Sequence, residues 1–147
     1  MKKGIVRAVN ISKEKGDIKT PVDEIKLIED YGIEGDAHAG PGKRQVSLLA
    51  QESVDEMKER TGIKGLTEGI FAENLTTEGL ELYTLEIGTR LKAGETILEV
   101  TQIGKECHSG CAIMKQVGQC IMPKQGIFTR VVTGGIIRPG DTIEVMN

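Results

Sequence analysis

All three cysteines of this 147-residue chain fall between Cys107 and Cys120, and one of its two histidines, His108, lies among them. A thiolate is soft and nucleophilic, suited to sulfane sulfur, redox exchange and transition-metal ligation, whereas the neutral thiol is not. From Cys111 to Val117 there is room for two helical turns, with Gly118 placed to stop them. Cys111 is therefore predicted in the first turn of a short helix, where free backbone N–H groups favour the thiolate. Lys105 and His108, just upstream, can add positive charge. Of the three thiols, Cys111 is the best placed to react.

The same residues permit two other readings. The spacing C-H-x2-C-x8-C offers Cys107, His108, Cys111 and Cys120 as zinc or iron ligands. It lacks the paired Cx2C knuckles of common zinc sites, and the adjacent Cys107 and His108 cannot easily share one ion. Alternatively the cysteines are small buried hydrophobes in a barrel that serves as an interaction module. An odd cysteine count in a chain of cytosolic character favours free thiols, metal or redox chemistry over a disulfide framework.

A second constellation lies in Tyr31-Gly32-Ile33-Glu34-Gly35-Asp36-Ala37-His38-Ala39-Gly40-Pro41-Gly42. So many glycines and a proline predict a shaped loop rather than a regular element. Asp36 and His38 are two residues apart and share a face if the segment is extended. Glycines also let backbone N–H groups approach an anion, although neither GxGxxG nor GxxxxGK[ST] is present. Polar side chains here could equally cap the turn.

Short strands must position these groups. Alternation predicts a first strand over Gly4–Ser12, a charged turn at Lys13–Asp17, and a second strand from Val22 to Ile28. Strand character resumes at Arg44–Leu49. From Gln51 to Thr61 the pattern is helical, with Glu56 and Arg60 as an i,i+4 pair, Val54 and Met57 on the buried side, and Gly62 as the stop. Asn74, between Gly69 and Gly79, can bind backbone or ligand. Leu91-Lys92-Ala93-Gly94-Glu95-Thr96-Ile97 is echoed by Ile137-Arg138-Pro139-Gly140-Asp141-Thr142-Ile143, the same turn entering the same kind of strand twice. Gly134-Gly135 is expected to turn the chain back into the last strand. The fold class is mainly β, a barrel with one clear helix and a few short peripheral ones, in a single domain over 1–147.

Taken in order, these stretches resemble a MOSC domain, the module named for the C-terminal part of molybdenum cofactor sulfurase. The resemblance rests on Gly35–Gly40, Arg44–Leu49, Glu73–Leu80, Ile87-Gly88, Glu99–Gln102 with Gly104–Cys107, then Cys111, Gly126–Phe128 and Gly140-Asp141. It implies a MOSC-type β-barrel that handles molybdenum cofactor (molybdopterin) or activated sulfur. One cysteine is the expected sulfur carrier or molybdenum ligand, and by motif position it is Cys111. Cys107 and Cys120 are extras shared by a bacterial subgroup and secondary candidates for metal. Asp36, His38, Arg44, Gln45, Asn74 and Lys105 are the cofactor-binding residues it implies. Arg44 is the foremost anion partner, because its planar fork can grip phosphate oxygens bidentately. The implied partners are molybdopterin or a sulfane-sulfur donor, with a molybdoenzyme or a cysteine desulfurase beyond. Larger members fuse the domain to a pyridoxal-phosphate desulfurase; that domain has no room here, so no pyridoxal phosphate is expected. Whether the chain turns over as a sulfurtransferase or only carries is open.

Composition narrows the alternatives. Aromatics are 3% of the chain, with no Trp, so the core must be aliphatic and stacking surfaces for nucleic acid are not expected. The net charge of -3 argues against a phosphate-backbone partner. No apolar run approaches a membrane span, and Met1–Arg7 lacks a signal-peptide core, so a cytoplasmic location is expected.

Overall fold

The structure is a computed structural model that describes residues 2–14, 18–62, 68–69, 71–104 and 125–146. Eleven strands among them form two sheets. The larger is a ring: β1 (Lys3–Ile11) pairs with β6 (Leu75–Glu78), and β6 with β5 (Val46–Ala50). The order continues through β9 (Ile127–Thr133), β8 (Thr96–Ile103), β7 (Arg90–Ala93) and β11 (Thr142–Val145), which returns to β1. A ring of seven strands cannot alternate direction all the way round, so one neighbouring pair must be parallel. That pair is β5 and β6. It is also the pair joined through the helix α1 (Gln51–Thr61), as a parallel connection requires a crossover.

The barrel interior is aliphatic, as the composition predicts. Val6, Val46, Leu48, Leu75, Leu91, Leu98, Ile127, Val131 and Ile143 meet there with no solvent exposure and no aromatic partner in the cluster. Strand β5 is buried on both faces. Val46, Leu48 and Ala50 face the interior cluster, while Ser47 and Leu49 are covered from outside. Helix α1 supplies that cover, lying against β5 and β6 with Val54 and Met57 buried. It ends at Gly62, which takes the left-handed conformation (φ 68°) and donates its N–H to Lys58. Arg60 pairs with Glu56 at 3.3 Å, one turn away.

The expected second strand, Val22 to Ile28, is two strands in different sheets. β2 (Thr20–Val22) extends the barrel by pairing with β1. After Asp23-Glu24, β3 (Ile25–Ile28) joins the smaller sheet, between β4 (Gly32–Ile33) and β10 (Gly135–Ile137). An unbroken alternation hides the break, because each piece buries its own apolar residues against a different partner. For the same reason Gly134-Gly135 does not lead straight into the last strand. It opens β10, and the turn at 138–141 then carries the chain into β11. The recurring turn is real in backbone terms, since Gly94 and Gly140 both have positive φ (58° and 96°). Its settings differ, because the first closes the β7–β8 hairpin and the second links the small sheet to the barrel. Outside α1, a 3-10 turn spans Leu82–Thr84.

Candidate functional site

The polar loop after β4 is a chain of turns. The Asp36 N–H reaches the Ile33 carbonyl, Ala37 N–H that of Ser12, Ala39 N–H that of Asp36, and Gly40 N–H that of Tyr31. Asp36 and His38 are not brought together by extended alternation, as their spacing suggested. The carboxylate instead accepts the N–H of residue 38 through Oδ2 at 3.0 Å, the local turn that Asp side chains commonly form.

Asp36 points inward. Its other oxygen accepts the Ser12 N–H at 3.1 Å and the Lys19 ammonium at 2.8 Å, and neither the carboxylate nor the lysine side chain is exposed. Burial alone pushes this carboxyl up. The hydrogen bond and charge of Lys19, with the N–H groups of Ser12 and His38, more than reverse that and hold it below the usual Asp value. Lys19 Nζ also lies 3.1 Å from Ser12 Oγ and 3.0 Å from His38 Nδ1. Nothing in the sequence marks Lys19, a single lysine ahead of a strand. Its placement comes from Gly69, whose carbonyl accepts the Lys19 N–H; a Cβ on Gly69 would fall 2.2 Å from the Lys19 carbonyl oxygen. Only glycine permits that approach.

Outside this buried group, residues 38–44 and Gln102 line a cleft of about 680 Å³. Among the described residues its side chains include His38, Lys43 and Arg44 and no carboxylate. Arg44 donates Nε–H to Gln102 at 3.2 Å and lies over the Phe128 ring, 5.3 Å from its centroid. Among the described residues it has no ion pair. Strand β8 reaches the cleft through a bulge: Val100 opposes Thr129 and Gln102 opposes Phe128, which leaves Thr101 as the extra residue. Released from the ladder, Thr101 turns its hydroxyl to the Lys43 carbonyl and so ties the loop to the barrel. Gln102 is anchored from its other end by donating to the Gly104 carbonyl at 2.8 Å. Gly104 N–H in turn bonds the Gly126 carbonyl, so the described residues that flank the cysteine segment meet two residues from the cleft lining.

The site residues expected from sequence thus separate into three groups. His38 and Arg44 share the cleft, with Asp36 buried behind His38. Gln45 and Asn74 are fully buried and lie outside the cleft lining. Gln45 donates to Asp30 at 3.0 Å and accepts the Val131 N–H at 2.9 Å, bracing the loop on β9. Asn74 accepts the Ser47 N–H at 3.0 Å and donates to the Asn10 carbonyl at 3.1 Å, pinning β6 between β5 and β1. Lys105, Cys107, His108, Cys111 and Cys120 lie outside the described residues, as does the short helix expected from Cys111. Lys19, Lys43 and Gln102 are the additions. No group of three or more His, Cys, Asp or Glu side chains suited to a metal ion occurs among the described residues, and no described helix is long and apolar enough to cross a membrane.

The fold has solved counterparts. The chain is similar to APC1665, the YUAD protein from Bacillus subtilis, with a TM-score of 0.80 and 18% identity over 97% of this chain and 95% of that one. It is similar to YiiM from Geobacillus stearothermophilus (TM-score 0.73, 25% identity, 99% and 75% of the two chains). YiiM from Escherichia coli gives 0.74 and 20%, over 99% and 70%. Comparison with curated proteins finds no match. The family match is to the MOSC domain over residues 34–144, which takes in the polar loop, the cleft and the barrel strands from β5 into β11. With that span matched and the barrel in place, the chain belongs to the MOSC domain family.

Proposed function

We propose that this protein handles the molybdenum cofactor or activated sulfur, with the cleft at residues 38–44 holding an anionic group and Cys111 acting as sulfur carrier or molybdenum ligand. The observation that carries this reading is the cleft itself. Among the described residues its lining is cationic and carries no carboxylate, and it opens beside Gly104, where the described part of β8's end gives way to the cysteine segment. A buried carboxylate lies behind it, but that charge is already paired with Lys19. The donor set suits a phosphate-bearing ligand such as a pterin phosphate. Arg44 and Lys43 supply charge, and the Arg44 fork is oriented by Gln102 and Phe128. Asp36, Gln45 and Asn74 serve by holding the loop and its strands, and Lys105 would add charge on the thiol side. When bound, the cofactor supplies a metal centre able to take a soft thiolate ligand.

In the sulfur-carrying form of the reaction, the Cys111 thiolate attacks the outer sulfur of a donor persulfide. The donor S–S bond breaks, the donor thiolate leaves with its electron pair, and a Cys111 persulfide forms. Purification under anaerobic conditions followed by intact-mass and metal measurements tests the reading. Molybdopterin, or the mass of one added sulfur atom lost in Cys111→Ser, supports it. Stoichiometric zinc with neither overturns it in favour of the metal-module alternative. Cys107→Ser and Cys120→Ser should be milder. Arg44→Ala should weaken binding of the anionic ligand by about 1.5–3 kcal/mol, the range for a hydrogen bond to a charged group, while leaving the melting transition near wild type.

A further inference from the structure

We propose that Lys19 is a positioning residue for the cleft: it holds His38 neutral, with its proton on Nε2, so that the ring offers a hydrogen-bond donor to an oxyanion. The argument starts from proton counting. An ammonium has three N–H donors and no acceptor. Lys19 Nζ has three acceptors within reach, Asp36 Oδ1 at 2.8 Å, Ser12 Oγ at 3.1 Å and His38 Nδ1 at 3.0 Å. The set is consistent only if His38 Nδ1 carries a lone pair. Ser12 then spends its own hydroxyl proton on the Glu14 carbonyl at 3.2 Å. A neutral Lys19 accepting a proton from Nδ1 would abandon its charge beside a buried carboxylate, against the ion pair. A charged His38 would bring a second cation within 3.0 Å of the Lys19 ammonium. Other charges around the ring reinforce this. Asp36 Oδ2 is 3.8 Å from Nδ1 and already accepts the His38 N–H, while Lys43 and Arg44 share the cleft and disfavour a third positive charge there.

The consequence is specific. A ring with its proton on Nε2 and Nδ1 occupied by an ammonium has no lone pair for a metal ion and no basic nitrogen for taking a proton. His38 therefore reads an anion's oxygen as a donor, alongside Lys43 and Arg44. This rests on the oxyanion reading of the cleft, but the tautomer can be measured apart from it.

The experiment is a long-range proton–nitrogen spectrum of the imidazoles in uniformly 15N-labelled protein from pH 6 to 8, with His38 assigned by its loss in His38→Gln. The expected result at pH 7 is a neutral ring protonated at Nε2. In Lys19→Met the Nδ1 lone pair is left facing Asp36, and the expected result is a proton on Nδ1, with His38 titrating at higher pH than in wild type. A wild-type ring protonated at Nδ1, or an imidazolium at pH 7, overturns the assignment without recourse to any variant. So does an Nε2 proton unchanged in a folded Lys19→Met. Inorganic phosphate is the probe for the cleft: it should shift the His38 Nε2 signal, and Lys19→Met should lower its affinity about tenfold. An Nε2–H ring that phosphate leaves undisturbed would keep the tautomer and refute the oxyanion role, and with it the reading of the cleft.

Discussion

Asp36 and Glu73 are both buried carboxyls, and burial leaves them on opposite sides of their ordinary values. For Asp36 the penalty of burial is outweighed by Lys19, so its value falls. Glu73 meets no cation among the described residues. Burial pushes it up, and the Thr76 hydroxyl at 2.7 Å with the N–H groups of Gly69 and Phe71 offset only part of that. The two therefore act on stability in opposite directions. Asp36 contributes stability that is present above the unfolded Asp value, near 3.9, and is lost as pH falls through its lowered folded value. Glu73 contributes most below the unfolded Glu value, near 4.3, and its contribution declines as pH rises through its raised folded value. Denaturant unfolding across pH checks both signs. Asp36→Asn should cost about 3–5 kcal/mol at pH 7, the range for breaking a buried ion pair, with the deficit shrinking in acid. Glu73→Gln carries a fixed cost for its misplaced NH₂ group, but its stability relative to wild type should improve as pH rises. A gap independent of pH would refute the raised value. Neither environment was legible in the sequence. Asp36 stood out through its spacing to His38, yet its partner Lys19 lies 17 residues earlier in the chain, and Glu73 was marked only as part of the stretch Glu73–Leu80.

At the scale of elements, what could be read in advance was whatever depends on near neighbours. Helix α1 followed from its apolar spacing, its i,i+4 pair and its glycine stop, and all three stand in the structure. Gly62 gives a clean test, because a Cβ there would meet nothing within 4 Å and only the backbone angle is at stake. Gly62→Ala should lower stability by about 1 kcal/mol, the cost of placing an L side chain in the left-handed region, with no change in the denaturant slope. A loss above about 3 kcal/mol would mean that the helix end carries more than its cap. Asn74 does bind backbone, one of the two readings open to it, but which strands it pins escaped notice, as did the bulge at Thr101 and the break after Val22, for a common reason. Each is set by pairing with residues far along the chain, and local alternation is blind to which sheet a strand joins. The cysteine segment posed the reverse problem. Its chemistry was plain from residue types, while the cleft emerged only once β8 had carried Gln102 up to Arg44.

For the molecule as a whole, the ring explains why one chain can hold both halves of the site. Loop 34–45 and the bulged end of β8 belong to distant parts of the sequence, and a barrel closed on itself gives them one rigid frame with no open edge at that end. The seam between β1 and β11 has a further meaning in time rather than space. It pairs Lys3 with Glu144 and Ile5 with Thr142, nearly the whole described chain apart. The β7–β8 hairpin closes across a single tight turn, from Ala93 to Thr96. Contacts that must wait for every intervening strand pay the largest loop-closure entropy and form last, so this protein should fold slowly for its size. The order of events should show in rates. Truncating Leu98 in the hairpin, as Leu98→Ala, should slow folding, whereas truncating Ile143 in the seam, as Ile143→Val, should leave the folding rate nearly unchanged and hasten unfolding. Stopped-flow chevrons of the two variants decide it, and a seam residue that slowed folding as much as a hairpin residue would reverse the order. The strand pair that completes the barrel would then be its clasp, fastened last, and its strength would set how long the folded state survives once formed.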